Sequence, residues 1–122
     1  MASLTLKTLP LSTNQLYRVF RNRSILSARG RENKEAIAWE ARAQYKGQPL
    51  KGPVRLKIAL YWGDRRKHDI DNIKTLLDSL NGIVWEDDGQ VTDLHVTKEY
   101  DKENPRVEIL LEELKSLTQP TV

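Results

Sequence analysis

An α+β fold, a mixed sheet with helices packed on it, is predicted for this chain by three observations. Segments with strand periodicity outnumber those with helical periodicity, the two kinds do not alternate in strict βαβ order, and Val54 to Tyr61 alternates cleanly between an apolar and a polar face. One domain is expected. The 122 residues suffice for a single modest core, assigned to residues 1–114, with 115–122 as a frayed tail.

Taken in order, Leu4 and Leu6 mark a short alternating strand that reaches at most Leu9 and is closed by Pro10, which has no N–H to donate. Residues 10–27 combine turn formers with Arg18, Arg21 and Arg23 and read as a long functional loop. Ser27 is suited to cap a helix running to about Tyr45, with Ile37, Ala38, Ala41 and Tyr45 inward and Glu35, Arg42 and Lys46 wet. Val54, Leu56, Ile58 and Leu60 form the core face of the strongest strand. A second helix is expected from about Asn72 to Leu80, burying Ile73, Leu76, Leu77 and Leu80 and stopped by Asn81-Gly82. Ile83 to Trp85 read as a short strand entering a Glu86-to-Gly89 turn, and Val91–Tyr100 and Arg106–Leu111 as a final pair of strands. Trp39, Trp62, Trp85, Phe20 and the four tyrosines are assigned to core or interface.

Composition narrows the function. Cysteine is absent, which excludes disulfides and thiolate metal sites; no secretory signal or bilayer-spanning apolar run is visible, so a reducing cytoplasm is the default expectation. Charge is polarised: residues 1–50 carry nine basic and three acidic side chains, 51–74 seven and three, and 75–122 four and eleven. A basic surface bordering an acidic one suits a polyanion bound beside carboxylates.

The acidic side chains concentrate at Asp69 and Asp71, in His68-Asp69-Ile70-Asp71-Asn72, and at Asp87 and Asp88, in Trp85-Glu86-Asp87-Asp88-Gly89. They follow the basic run Arg65-Arg66-Lys67. Hard carboxylate oxygens are what Mg²⁺ accepts, and adjacent cations are what a phosphodiester needs, so this stretch suggests metal-dependent chemistry on nucleic acid. Each part also has a plain structural reading. Asp71 or Asn72 can be an ordinary helix cap with Asp69 a solvated turn residue, Glu86 to Gly89 a tight turn, and the basic run a wet surface. Asp69 and Asp71 share one side only of an extended backbone, so the helix should begin no earlier than Asp71. If the helix and the following strand make an antiparallel return, both acidic sets reach one end of the structure, where they need a divalent cation or several donors between them. Lys74, one turn beyond Asp71, can stabilise charge developing on phosphate or be an exposed helical lysine, and His68 is a phosphate donor or a spectator.

In these residues the chain resembles the RusA-type Holliday junction resolvases. The likeness runs from Pro10-Leu-Ser12-Thr-Asn14-Gln-Leu-Tyr17-Arg18, matching a P-x-S-x-N-x-x-Y loop, through the basic run to the D-x-D-N element and the later Asp pair. It implies an intimate homodimer and a divalent metal, Mg²⁺ with Mn²⁺ able to stand in, held by Asp69, Asp71 and Asp88. It also implies DNA contacts from Asn14, Arg18, Arg21, Arg23, Arg65, Arg66, Lys67 and His68. Two-fold symmetry is intelligible, because a four-way junction is cut in two opposed strands. The family lysine falls four residues after the second aspartate, where this chain has Thr75, while its own lysine is Lys74. If Lys74 supplies that cation, then Lys74→Ala combined with Thr75→Lys should restore some activity. The expected function is therefore a Mg²⁺-dependent endodeoxyribonuclease resolving four-way DNA by paired nicks, with no membrane partner and no small-molecule substrate. The alternatives are a non-catalytic nucleic-acid-binding protein and a small metal-dependent ribonuclease.

Overall fold

In the computed structural model, residues 2–11, 17–21, 23–65 and 72–115 are described, with 17–20 and 23–24 described through their backbone. The elements are β1 (Ala2–Leu6), β2 (Tyr17–Phe20), β3 (Arg23–Leu26), α1 (Ala28–Gln44), β4 (Val54–Trp62), α2 (Asn72–Ser79), a 3₁₀ turn (Asp88–Gln90), β5 (Val91–Tyr100) and β6 (Arg106–Glu113). Four strands form a mixed sheet in the order β1-β6-β4-β5, and β2 and β3 make a separate hairpin. The α+β expectation holds.

The helix at 28–44 starts where its cap predicts, with the Ser27 hydroxyl accepting from the Gly30 N–H at 2.9 Å. β1 is shorter than its pattern allowed. It ends at Leu6 because the next amides turn away from the ladder and donate to the Glu40 carboxylate on α1. The stretch 10–27, expected to be loop, contains the β2–β3 hairpin, in which Phe20 pairs with Arg23 across a two-residue turn. Arg21 opens that turn at φ 51°, a left-handed conformation that two-residue hairpin turns require.

One face of the sheet supplies the core: Leu4 and Leu6 from β1, Val54, Leu56, Ile58 and Leu60 from β4, and Val107, Ile109 and Leu111 from β6. Ile37 and Ala41 of α1 and Ile73, Leu76 and Leu80 on or just after α2 close over it. Each large buried side chain of this kind contributes about 1.5–3 kcal/mol relative to exposure. Trp85 is fully buried, whereas Trp39 is 73% exposed and has no place in the core.

β5 and β6 do not pair with each other as expected. β4 lies between them, parallel to β5 and antiparallel to β6. The connection after β5 crosses the end of β4, anchored by the Asp101 N–H donating to the Trp62 carbonyl at 2.8 Å. A Cβ on Gly63 would meet Pro105 Cγ at 2.7 Å, so the crossing needs glycine beneath it. β4, α2 and β5 thereby make one parallel crossover. This puts Asn72 at the α2 N-terminus and the second acidic pair just before β5.

Candidate active site around Asp88

α2 is amphipathic. Ile73, Leu76 and Leu80 face the sheet, Lys74 is exposed and Asp78 is half-buried. Two small polar residues tie the helix down. The Thr75 hydroxyl, 1% exposed, donates to the Leu11 carbonyl at 2.9 Å, and the Ser79 hydroxyl donates to the Thr75 carbonyl at 2.7 Å.

Beyond α2 the chain curls instead of extending. Gly82, at φ 80°, donates to the Trp85 carbonyl, and the amides of Ile83 and Val84 both return to Leu80. Trp85 Nε1 donates to Asn81 Oδ1 at 2.8 Å. Residues 82–84 are therefore a turn and not part of the expected strand, because the Ile83 and Val84 amides are spent on the end of α2, and Trp85 makes only isolated bridges to Leu50 and Asn81. The antiparallel return is lost with it, and the Glu86-Asp87-Asp88 segment stays at the C-terminal end of the helix.

Within that segment the two aspartates divide the work. Asp87 caps the 3₁₀ turn, its carboxylate accepting from the Gly89 N–H at 2.9 Å, while Gln90 Oε1 accepts from the amides of Glu86 and Asp87. Gln90 Nε2 reaches across to the carbonyls of Leu50 and Gly52. Asp88 is left beside Asp78. Burial, followed by hydrogen bonding with Asp78 and by repulsion from Asp78 and Asp87, pushes the Asp88 carboxyl above the usual carboxylate range. A hydrogen bond between two carboxyls needs a proton, and the same spot accepts a cation instead.

Of the residues singled out in the sequence, Asp88 thus lies in a carboxylate pair with Asp78, and Lys74 is exposed on α2. The Arg65 guanidinium lies 4.2 Å over the Tyr100 ring at the end of β5. Arg21 is exposed at the hairpin turn, and Arg18 and Arg23 are placed in its strands by their backbone. Asn14, Arg66, Lys67, His68, Asp69 and Asp71 lie outside the described residues. Thr75, where the resemblance puts a lysine, is sealed beneath the helix, so the expected rescue by Thr75→Lys is not compatible with the packing. Asp78 was missed by the sequence reading. Its signal was spacing, seven residues after Asp71 and four after Lys74, which places all three toward one side of a helix.

Among the described residues no group of three or more His, Asp or Glu could hold a metal ion. The donors present nevertheless suit one. Asp78 and Asp88 are neighbouring hard oxygen donors, and Asn72 Oδ1, in a residue 2% exposed, is buried with no hydrogen-bond partner among the described residues. Asn72 and Asp78 are separated along α2 by about 9 Å.

The fold and this carboxylate pair describe a small α+β domain with acidic surface chemistry at a helix, and comparison with known proteins gives the family. The model described as "Endodeoxyribonuclease RusA" matches residues 9–112. The chain belongs to that family. It is 33% identical over 107 residues to the crossover junction endodeoxyribonucleases RusA of Enterobacteria phage 82 and of Escherichia coli (strain K12), covering 86% of this chain and 89% of each relative. It is also 47% identical over 49 residues to the uncharacterized protein YqaN of Bacillus subtilis (strain 168), covering 39% of this chain and 34% of that protein.

Proposed function

We propose that this chain is a Mg²⁺-dependent endodeoxyribonuclease that cuts four-way DNA junctions, acting as a two-fold homodimer. The observation that carries the reading is Asp88 set against Asp78 and pushed up in pKa, within a chain whose relatives are named crossover junction endodeoxyribonucleases. Asp69, Asp71 and Asp88 would hold the ion, with Asp78 beside them; Mn²⁺ has the same hard-donor preference. When bound, the ion supplies Lewis-acid polarisation of the scissile phosphate and a nucleophile at neutral pH.

The chain's own residues do the rest. Asp78 would add a second carboxylate beside Asp88, and Asn72 Oδ1 offers an acceptor to a donor entering the site. Arg65, Arg66, Lys67 and His68 precede the D-x-D-N element and neutralise flanking phosphates, as would Asn14, Arg18, Arg21 and Arg23 from the hairpin region. Lys74, exposed in the first turn of α2, would meet negative charge on the phosphate as it builds.

The outer face of the sheet supports the dimer. No described helix covers it, Leu110 is 45% exposed there beside Ala59, and Lys57, His95 and Glu108 surround them. A two-fold axis that brought Lys57 of one copy against Glu108 of the other would give the self-complementarity that isologous contact requires.

Labelled four-way DNA, linear duplex and RNA, each incubated with and without Mg²⁺, test the whole reading. Paired nicks in four-way DNA only with Mg²⁺ are expected. Cleavage of RNA, or junction binding with no cleavage under any divalent ion, overturns it.

A further inference from the structure

α1 and α2 also face each other beside the Asp78–Asp88 pair. The two helices form a cleft of about 460 Å³ lined by Lys34, Glu35, Ala38, Trp39 and Arg42 from α1 and by Asp78 and Ser79 from α2. One wall thus includes Asp78, the partner of Asp88. The other is Trp39, the most exposed large apolar side chain among the described residues. Lys34, Ala38 and Arg42 stand at four-residue intervals, so two cations flank the indole along one face of α1, with a small residue between them. A single exposed indole is ordinary on a protein surface; what distinguishes this one is its place in the wall of a cleft lined by cations and carboxylates.

The character of the lining indicates what covers it. The cleft is large enough for a small planar organic group. Glu35 and Asp78 would repel a phosphate from its floor, whereas either can accept from the amino group or ring N–H of a nucleobase. Lys34 and Arg42 are left to take the phosphates on each side. At the branch point of a four-way junction stacking is interrupted, so base faces are available there that a linear duplex conceals.

Resting on the nuclease reading, we propose that Trp39 is a base-stacking residue: it receives an unstacked base at the branch point, next to the scissile phosphate, and so positions the junction at Asp88 and favours branched over linear DNA. The role is one of positioning and specificity, since no bond is made or broken at Trp39. A second copy of this chain is the competing occupant, but the outer sheet face, with Leu110 exposed on it, already offers it a seat.

The test uses four-way DNA carrying 2-aminopurine at the branch point, with linear duplex as control. Wild type, Trp39→Ala and Trp39→Phe are compared by fluorescence, by a binding titration in Ca²⁺ and by single-turnover cleavage in Mg²⁺, with sedimentation reporting assembly. Because Trp39 is exposed, all three should fold. Loss of one stacked base should weaken junction affinity about tenfold in Trp39→Ala, within the range for a stacking contact, and should change the 2-aminopurine signal. Trp39→Phe should keep most of the affinity, and linear duplex binding should be unaffected in all three.

A wild type that cuts junctions, with a Trp39→Ala variant that cuts and signals equally, overturns this proposal alone. A wild type whose 2-aminopurine signal depends on Trp39 but which never cuts upholds it and overturns the nuclease reading. Trp39→Ala protein that sediments as a smaller species assigns the indole to the contact between copies and overturns the stacking role.

Discussion

Thr75→Lys puts a lysine where related enzymes are expected to carry one, and the structure sets its consequence. Thr75 is 1% exposed, and its hydroxyl supplies the donor for the Leu11 carbonyl, tying α2 to the segment after β1. The substitution removes that donor, which costs about 1–3 kcal/mol for a buried carbonyl left unsatisfied. It also forces a longer side chain into filled space, for about 1–3 kcal/mol more, and desolvates part of an ammonium group. Snorkelling toward Lys74 recovers some of the last cost but none of the first. The total, about 4 kcal/mol or more, is a large share of the 5–15 kcal/mol that holds a domain of this size together. Thermal unfolding should therefore move down by about 12–20 °C. Thr75→Val, which removes only the hydroxyl, should lose about 1–2 kcal/mol, and Thr75→Ser should lose less. The decisive assay is thermal unfolding beside single-turnover junction cleavage for Lys74→Ala with and without Thr75→Lys. The double variant should melt low and cut no faster. A melting point within about 3 °C of wild type, together with regained cleavage, would refute the reasoning and show that α2 can turn to present residue 75.

Four further outcomes follow from the site. Asp88→Asn and Asp69→Asn should each reduce junction cleavage by at least about 100-fold while leaving binding intact, because a hard ligand is removed and the basic surface is not; wild-type turnover in a folded variant would contradict this. The raised Asp88 carboxyl means that the folded state holds a proton the unfolded state has released. Metal-free stability should therefore fall as pH rises from the ordinary value of 3.8 through the raised one. Denaturant titrations of wild type and Asp88→Asn should diverge in that window, and Mg²⁺ should stabilise the wild type more above it. Neutralising Arg66 and Lys67 together should lower the log–log salt slope of junction binding by about 1.8, two phosphate contacts at 0.9 each. Lys74→Ala should slow single-turnover cleavage more than it weakens binding, since a cation at the phosphate matters most as charge builds; equal losses would make it an ordinary backbone contact.

Much of this protein is legible in its sequence, where local chemistry decides. The Ser27 cap, the alternation of β4, the apolar stripe of α2 and its stop at Asn81-Gly82 are written in neighbouring residues, and each element lies where its pattern places it. The choice of the second aspartate in Asp87-Asp88 is also local in origin, because Asp87 is consumed by the capping box with Gln90. Strand partnership is not local. Nothing in Val91–Tyr100 or Arg106–Glu113 says that β4 lies between them; that depends on Gly63 admitting Pro105 across the end of β4. Ile83 to Trp85 have strand composition, yet the Ile83 and Val84 amides close the end of α2, and that competition is settled only when Trp85 is buried and bonded to Asn81. That curl, and not the sequence distance between the acidic motifs, puts Asp88 against Asp78. A pattern of residue types specifies which groups can do chemistry, whereas which of them meet is decided by long-range hydrogen bonds and packing, energies that exist only once the chain has closed on itself.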